Sequence, residues 1–378
     1  MTRRTRHVFY VSGFDPRGER FYRETLRNAL TQWQDSTQTA LSFDTGKPWT
    51  IKHSYGETYI QLLGWDDIIR QYWPKSDTAV SWQTPLFVWR MLRAGTLGAL
   101  RKTCWPMAQT IVTTTLPATV TLLTGFLLLL AVFAGLQGGL FLLVAVLLGL
   151  GALGSFFGGR RLAKRLQSSW TGRILIYAEQ FAQNPNPDLL SRLDGFCDRV
   201  IFTLEQGEEV LLTGHSFGAV LAPMIAARIA LKRPDLVSDS DRFCLLTLGS
   251  ILPFVAHHPD AEHIRADMKT VNDSGIAWLD VSSPRDGACC ALVNPLWFVG
   301  LEGEGPKLLN AQFHKTFTAE KLLAGRRVPL EGHFFYLRSV DTPDPTGDLF
   351  DWPATLVDPR PVWQRYKARS SQPSYFGE

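Results

Sequence analysis

Residues 209–218 read Glu209-Val210-Leu211-Leu212-Thr213-Gly214-His215-Ser216-Phe217-Gly218, and the reading of this stretch decides the fold. Glu209–Thr213 is a short apolar run of the kind that fills the centre of a parallel sheet. Ala219–Leu231 repeats its apolar residues with helical period and is closed by Arg233-Pro234. Between the two, Gly214–Gly218 must form a tight turn with Ser216 at its apex. Glycine two residues before and two after the serine removes the side chains that such a turn would drive together. The turn also brings the serine hydroxyl to the N-terminus of the next helix, where free N–H groups and peptide dipoles favour negative charge.

Working outward, the same alternation continues: a strand at Phe243–Leu248, a helix around Ala261–Thr270 and a strand at Ile276–Val281. Upstream, His7–Phe14 is a β-branched and aromatic run closed by Gly13, then Pro16 and Gly18, then a helical stretch to about Gln34. Ala40–Phe43 and Trp49–His53 read as strands around the turn Thr45–Pro48. Glu57–Arg101 mixes aromatic and charged residues without a clean period and is assigned to helix. Ile174–Gln183 and Leu189–Gln206 are helical, interrupted by Asn184-Pro185-Asn186-Pro187. The expected class is α/β, a mostly parallel sheet with helices on both faces. From Asp341 onward, Pro343, Pro345, Pro353, Pro359, Pro361 and Pro373 predict an extended tail wrapped on the surface, or a partly disordered one.

One block interrupts this pattern. The 57 residues Thr103–Gly159 contain no Asp, Glu, Lys, Arg or His, whereas a membrane helix needs about 20 apolar residues. The block therefore accommodates a hairpin, Leu116–Ala134 and Leu140–Gly158, turning at Gly135-Leu136-Gln137-Gly138-Gly139. Gly154 and Gly158 have the small-xxx-small spacing that lets helices approach closely. Arg90, Arg93, Arg101 and Lys102 precede the block and Arg160, Arg161, Lys164 and Arg165 follow it, so the positive-inside rule puts both flanks in the cytoplasm. Trp105 and Trp170 lie where interfacial aromatics are expected. The chain divides into a first part of the soluble fold (1–102), the hairpin (103–159), a second part of the soluble fold (160–340) and a Pro-rich tail (341–378).

Several functions are disfavoured by composition. The net charge of +4 comes without a long basic run, so nucleic acid is not an expected partner. The five cysteines, Cys104, Cys197, Cys244, Cys289 and Cys290, are odd in number and lack zinc spacing, which predicts reduced thiols. The basic N-terminus is followed by a strand-like run and then charge, unlike a signal peptide. His257, His258, Asp260, Glu262 and His263 cluster in sequence, but their spacing matches no helical two-histidine metal motif. No cofactor or metal is expected.

A serine hydroxyl is a poor nucleophile at neutral pH, so a reactive Ser216 requires a histidine base and an acid to orient it. Here the chain resembles the α/β-hydrolase superfamily, and within it the lipases and esterases, whose nucleophile, acid and histidine follow in that order. The resemblance covers the soluble part, and the elbow Gly214–Gly218 is its one highly specific motif. It implies an acid in the loop after the second strand beyond the elbow, where Asp286 stands in Pro284-Arg285-Asp286-Gly287; Asp280, inside the strand pattern, is the alternative. It implies a histidine after the last strand: His333 in Gly332-His333-Phe334-Phe335-Tyr336-Leu337, with Tyr336 as the aromatic that often follows. His314 is the alternative if Leu308–Phe313 is that strand. The Phe217 N–H becomes an oxyanion donor, and Ser12-Gly13-Phe14-Asp15-Pro16 supplies the Phe14 N–H as a second. Such donors lower a barrier by about 3–4 kcal/mol each.

A hydrolase pinned to a bilayer by a hairpin has access to lipids that scarcely dissolve in water. The expectation is therefore a serine hydrolase acting on acyl esters of glycerolipids, lysolipids or phospholipids, facing the cytoplasm from a plasma or inner membrane. A thioesterase or acyltransferase with the same triad, or a membrane scaffold that has lost the chemistry, are the alternatives.

Overall fold

The computed structural model describes residues 4–344 and 346–373. Residues 1–3, part of the basic N-terminus, and Pro345 and 374–378, part of the predicted tail, lie outside them. The chain opens with β1 (Arg4–Val11) and α1 (Gly18–Thr37), followed by β2 (Leu41–Asp44), β3 (Trp49–His53) and β4 (Gly56–Leu63). The helices α2 (Asp66–Tyr72), α3 (Asp77–Arg93), α4 (Thr96–Thr103) and α5 (Trp105–Thr113) lead to the long pair α6 (Leu116–Gln137) and α7 (Phe141–Arg165). Then come α8 (Ser168–Gln183), α9 (Pro187–Glu205), β5 (Glu209–His215), α10 (Gly218–Lys232), β6 (Phe243–Leu248), β7 (Ala277–Ser282) and β8 (Lys307–Asn310).

The strands form one eight-stranded sheet in the order β2-β3-β4-β1-β5-β6-β7-β8. Pairing is parallel from β4 through β8, and antiparallel where β3 joins β2 and β4. The class is thus α/β, as expected. Every residue of β5 is buried, which explains its unbroken apolar run: a central parallel strand is covered on both faces. Phe9, Val11, Val210 and Leu212 point to the face covered by α9 and α10, while Val8, Tyr10 and Leu211 point to the face covered by α1 and the C-terminal segment.

Three expectations are corrected. The start of the supposed helix 57–101 is β4, whose alternation Glu57-Thr58-Tyr59-Ile60-Gln61-Leu62 hides a half-polar strand. Its buried Thr58 donates to the Leu356 carbonyl at 2.8 Å. The first residues of the uncharged block form α5, which buries Met107, Ala108 and Ile111 in the core. The C-terminal segment is not a surface tail. The helices Trp352–Val357 and Val362–Tyr366 bury Trp352, Leu356, Val362 and Tyr366. The buried Arg6 guanidinium donates to the carbonyls of Thr355 (2.7 Å), Leu356 (3.1 Å), Asp358 (3.2 Å) and Arg360 (2.6 Å).

The hairpin is present at its predicted place. α6 and α7 each hold a window of mean hydropathy 2.3, only 11% and 6% buried, so both are long and apolar enough to cross a membrane. α7 continues past Gly158 through the basic residues to Arg165. Gly154 and Gly158 have nothing within 4 Å of an added Cβ, so they do not bring the helices together; Gly159 does, where a Cβ would fall 2.3 Å from Val120. Trp105 is exposed, whereas Trp170 is half-buried against Trp73, at 4.7 Å between rings.

Candidate active site

Ser216 sits between β5 and α10 at the carboxyl edge of the parallel strands, where α/β sheets hold their ligands. Its φ of 60° is left-handed, a conformation that costs a non-glycine residue about 1–3 kcal/mol and persists only where the surroundings enforce it. The surroundings are backbone. A Cβ on Gly214 would lie 2.1 Å from the Gly218 carbonyl oxygen, and one on Gly218 would lie 2.2 Å from the Val11 carbonyl oxygen. The Ser216 N–H is tied to the Leu248 carbonyl of β6 at 2.9 Å.

The loop after β1 lies directly against this turn: a Cβ on Gly13 would fall 3.0 Å from Ser216 Cβ and 3.4 Å from its Oγ. Trp65 Nε1 donates to the Ser12 carbonyl at 3.0 Å and holds the loop there. Among the described residues, the N–H groups of Phe14 and Phe217 have no acceptor. Their side chains are anchored in one aromatic cluster with Tyr177, which stacks on Phe14 at 4.0 Å and meets Phe217 edge-on at 5.2 Å. Both backbones are thereby fixed beside the serine. Arg17 pairs with Asp15 at 2.5 Å and lies over the rings of Phe21 and Phe334.

Asp286, in the loop after β7, and His333 form a buried pair: Nδ1 of His333 to Oδ2 of Asp286 is 2.7 Å. The second carboxylate oxygen accepts the Ala288 N–H at 2.9 Å. Burial alone would raise this carboxyl, but the charge and hydrogen bond of His333, the Ala288 amide and the Cys289 thiol outweigh it and hold the group below its ordinary value. His333 follows the last strand, β8, as the sequence suggested, but only after intervening helices, as the last residue of the short helix Pro329–His333. Gly332 serves a helix contact, with a Cβ there 3.3 Å from the Gly325 carbonyl oxygen. Tyr336, three residues on, is fully buried and its hydroxyl accepts the Ser283 N–H at 2.9 Å, bracing the Asp286 loop.

The alternatives fall elsewhere. Asp280 is inside β7, accepts from Thr247 Oγ1 at 2.7 Å, and is pushed up to about 7 by burial against the opposing hydrogen bonds of Thr247 and Ser282. His314 is exposed on the short helix Phe313–Thr316. His257 instead meets Thr96 Oγ1 at 2.9 Å, and His258 accepts the Asp260 N–H at 3.2 Å.

His215 is a participant that the motif contained but sequence reasoning passed over. Its Nε2 donates to the His333 carbonyl at 3.0 Å, and the two rings lie 4.7 Å apart. Burial, and then the neighbouring His333, push His215 down to about 3, so it stays neutral and acts as a donor. The His333 ring lies at the edge of β6, since a Cβ on Gly249 would be 3.1 Å from its Cε1. Its Nε2 is buried and, among the described residues, neither that atom nor Ser216 Oγ has a hydrogen-bond partner.

The elements closing this edge belong to the hairpin's base. Gly287, beside Asp286, packs on α5, where a Cβ would be 3.0 Å from Thr110 Oγ1. Tyr177 is on α8, which leaves α7. Gln167, between α7 and α8, accepts the Leu330 N–H at 3.1 Å, three residues before His333. No family model, curated protein or solved structure matches the chain.

Proposed function

We propose that the chain is an α/β-hydrolase-type serine hydrolase, held to a membrane by α6 and α7, that cleaves acyl esters of lipids. The observation that carries this reading is the buried Asp286–His333 pair on the same sheet edge as Ser216, whose left-handed φ presents it at the N-terminus of α10. Strained backbone and buried, perturbed ionisable pairs both cluster at functional sites.

In this mechanism Ser216 Oγ attacks the ester carbonyl while Nε2 of His333 takes its proton. Asp286 keeps the imidazole proton on Nδ1 and stabilises the imidazolium that forms. The Phe217 and Phe14 N–H groups, free of other acceptors, receive the oxyanion. His333 then returns the proton to the alcohol that leaves, and water, activated by the same Nε2, releases the acid from Ser216.

The lipid part of the reading is supported by the site's surroundings: α5, α8 and Gln167, the parts of the chain that enter and leave the hairpin, also enclose the carboxyl edge of the sheet. The cytoplasmic orientation follows from the basic flanks under the positive-inside rule. Wild type and Ser216→Ala, each reconstituted in vesicles of mixed phospholipid and diacylglycerol, test it. Fatty acid released by wild type alone supports the reading; equal release, or none from either, overturns it.

A further inference from the structure

Among the helices outside the hairpin, α3 has an unusual surface. Its inward face buries Val80, Thr84, Phe87 and Met91, as the spacing of an amphipathic helix requires. The opposite face carries Trp82, Leu86 and Trp89, at i, i+4 and i+7, which are 49%, 56% and 55% exposed. A helix apolar on both faces belongs where both faces leave water, yet these three outer side chains remain about half exposed. α3 is also held at the foot of the hairpin. Thr84 Oγ1 donates to the Thr114 carbonyl at 3.0 Å, two residues before α6 begins, and its methyl packs on Gly172 of α8, where a Cβ would be 2.9 Å away.

Around the same foot stand exposed cations. Arg93 follows the stripe on α3, Arg101 and Lys102 end α4, and Arg161, Lys164 and Arg165 end α7. Among the described residues none of these six side chains makes a salt bridge or donates a hydrogen bond. By contrast Arg90, one turn back on the inner side of α3, is paired with Glu179.

We infer that α3 lies along the lipid–water interface of the leaflet at the hairpin's foot, with Trp82, Leu86 and Trp89 among the upper acyl chains and the surrounding cations on anionic phospholipid headgroups. Tryptophan is suited to that depth, having an apolar body and a polar N–H, and clustered Arg and Lys gain most from an anionic surface. The proposal rests on the reading of α6 and α7 as membrane spans. It adds a third contact that fixes the tilt of the soluble fold, so that the sheet edge carrying Ser216 is held against the bilayer.

All five native cysteines are buried, so an environment-sensitive dye can be directed to an introduced thiol in the full chain. Three single variants in nanodiscs make the test: Leu86→Cys on α3, Leu129→Cys on α6 and Phe202→Cys on α9, all at exposed positions. The expected result is a blue-shifted dye at 86, quenched more by nitroxide high on the acyl chain than by nitroxide near its end. The dye at 129 should be quenched by the deep nitroxide, and that at 202 by neither. Water-like emission at 86 with deep quenching at 129 overturns the placement of α3 and leaves the spans standing; no quenching at 129 overturns the spans themselves. Adding phosphatidylglycerol to phosphatidylcholine discs should increase the blue shift at 86, and salt should reverse the increase. An equal shift in both discs overturns the role of anionic headgroups.

Discussion

Asp286→Asn changes one oxygen into NH2 at almost constant volume, and the surrounding hydrogen bonds dictate which way the amide points. Oδ1 accepts the Ala288 N–H at 2.9 Å and Oδ2 faces Nδ1 of His333 at 2.7 Å. Two N–H donors cannot face each other, so the asparagine oxygen stays on Ala288 and its NH2 turns to His333. Nδ1 must then accept, which moves the imidazole proton to Nε2, the atom that takes the serine proton in the proposed mechanism. The same exchange in a serine-protease triad lowers kcat about ten-thousand-fold, equivalent to about 5–6 kcal/mol of barrier. We expect a loss of that order in kcat with KM little changed, measured as initial rates on a p-nitrophenyl ester with circular dichroism and thermal melting as checks on the fold. Asp280→Asn is the control and should keep its kcat, because that carboxyl engages Thr247. A folded Asp286→Asn protein within tenfold of wild type would refute the assignment of the acid.

Four further outcomes are expected. Asp280 has a folded pKa of about 7 against an ordinary 3.8, so its protonated form favours the fold at low pH and that advantage is lost as pH rises from about 4 through 7, on the order of a few kcal/mol. Asp280→Asn should flatten this part of a melting-temperature profile, leaving the slopes from Asp351 and Asp267, which burial also raises, to about 7 and about 6; an unchanged profile contradicts the buried acid. Gly214→Ala sets a methyl 2.1 Å from the Gly218 carbonyl oxygen and should cost about 3 kcal/mol or more in chemical denaturation, so near-wild-type stability would contradict the elbow geometry. His215→Ala removes the bond to the His333 carbonyl and should lower kcat ten- to a hundredfold by letting the ring drift, with KM unaltered. Gln167→Ala frees the Leu330 N–H at a cost of about 1 kcal/mol; a fall in kcat beyond that of stability would link the hairpin to His333, and an unchanged kcat would separate them.

The parts of the fold that were legible before the structure are those whose burial leaves a one-sided signature. β5 and β6 are covered on both faces and therefore read as continuous apolar runs, and the Gly214–Gly218 turn could be read because backbone atoms, not side chains, demand its glycines. β4 could not be read in the same way: it buries Thr58 and Ile60 but half-exposes Glu57, Tyr59 and Gln61, so its pattern looks like a surface helix. The C-terminal helices were masked by their own prolines. Pro353 opens Trp352–Val357 at its first turn and Pro361 caps Val362–Tyr366, positions where proline starts a helix instead of breaking one.

In the candidate site, the place of Asp286 after β7 is legible from the strand pattern, whereas the last strand, β8, precedes both His314 and His333 and so does not choose between them. What places His333 beside Asp286 is tertiary: the Asp286 bond, the His215 ring and the Gly332–Gly325 contact. None of these is a local pattern. His215 was visible within the motif itself, but its partner is the carbonyl of a residue far along the chain, and no spacing rule could connect the two.

The central claim is that Ser216 is a nucleophile activated by His333, and its most direct test is covalent. The purified full chain, treated with a fluorophosphonate and digested, is predicted to carry the phosphonyl adduct on the peptide containing Ser216. Labelling should be lost in Ser216→Ala and strongly slowed in His333→Ala. An adduct elsewhere, or equal labelling of the Ser216→Ala protein, would contradict the account.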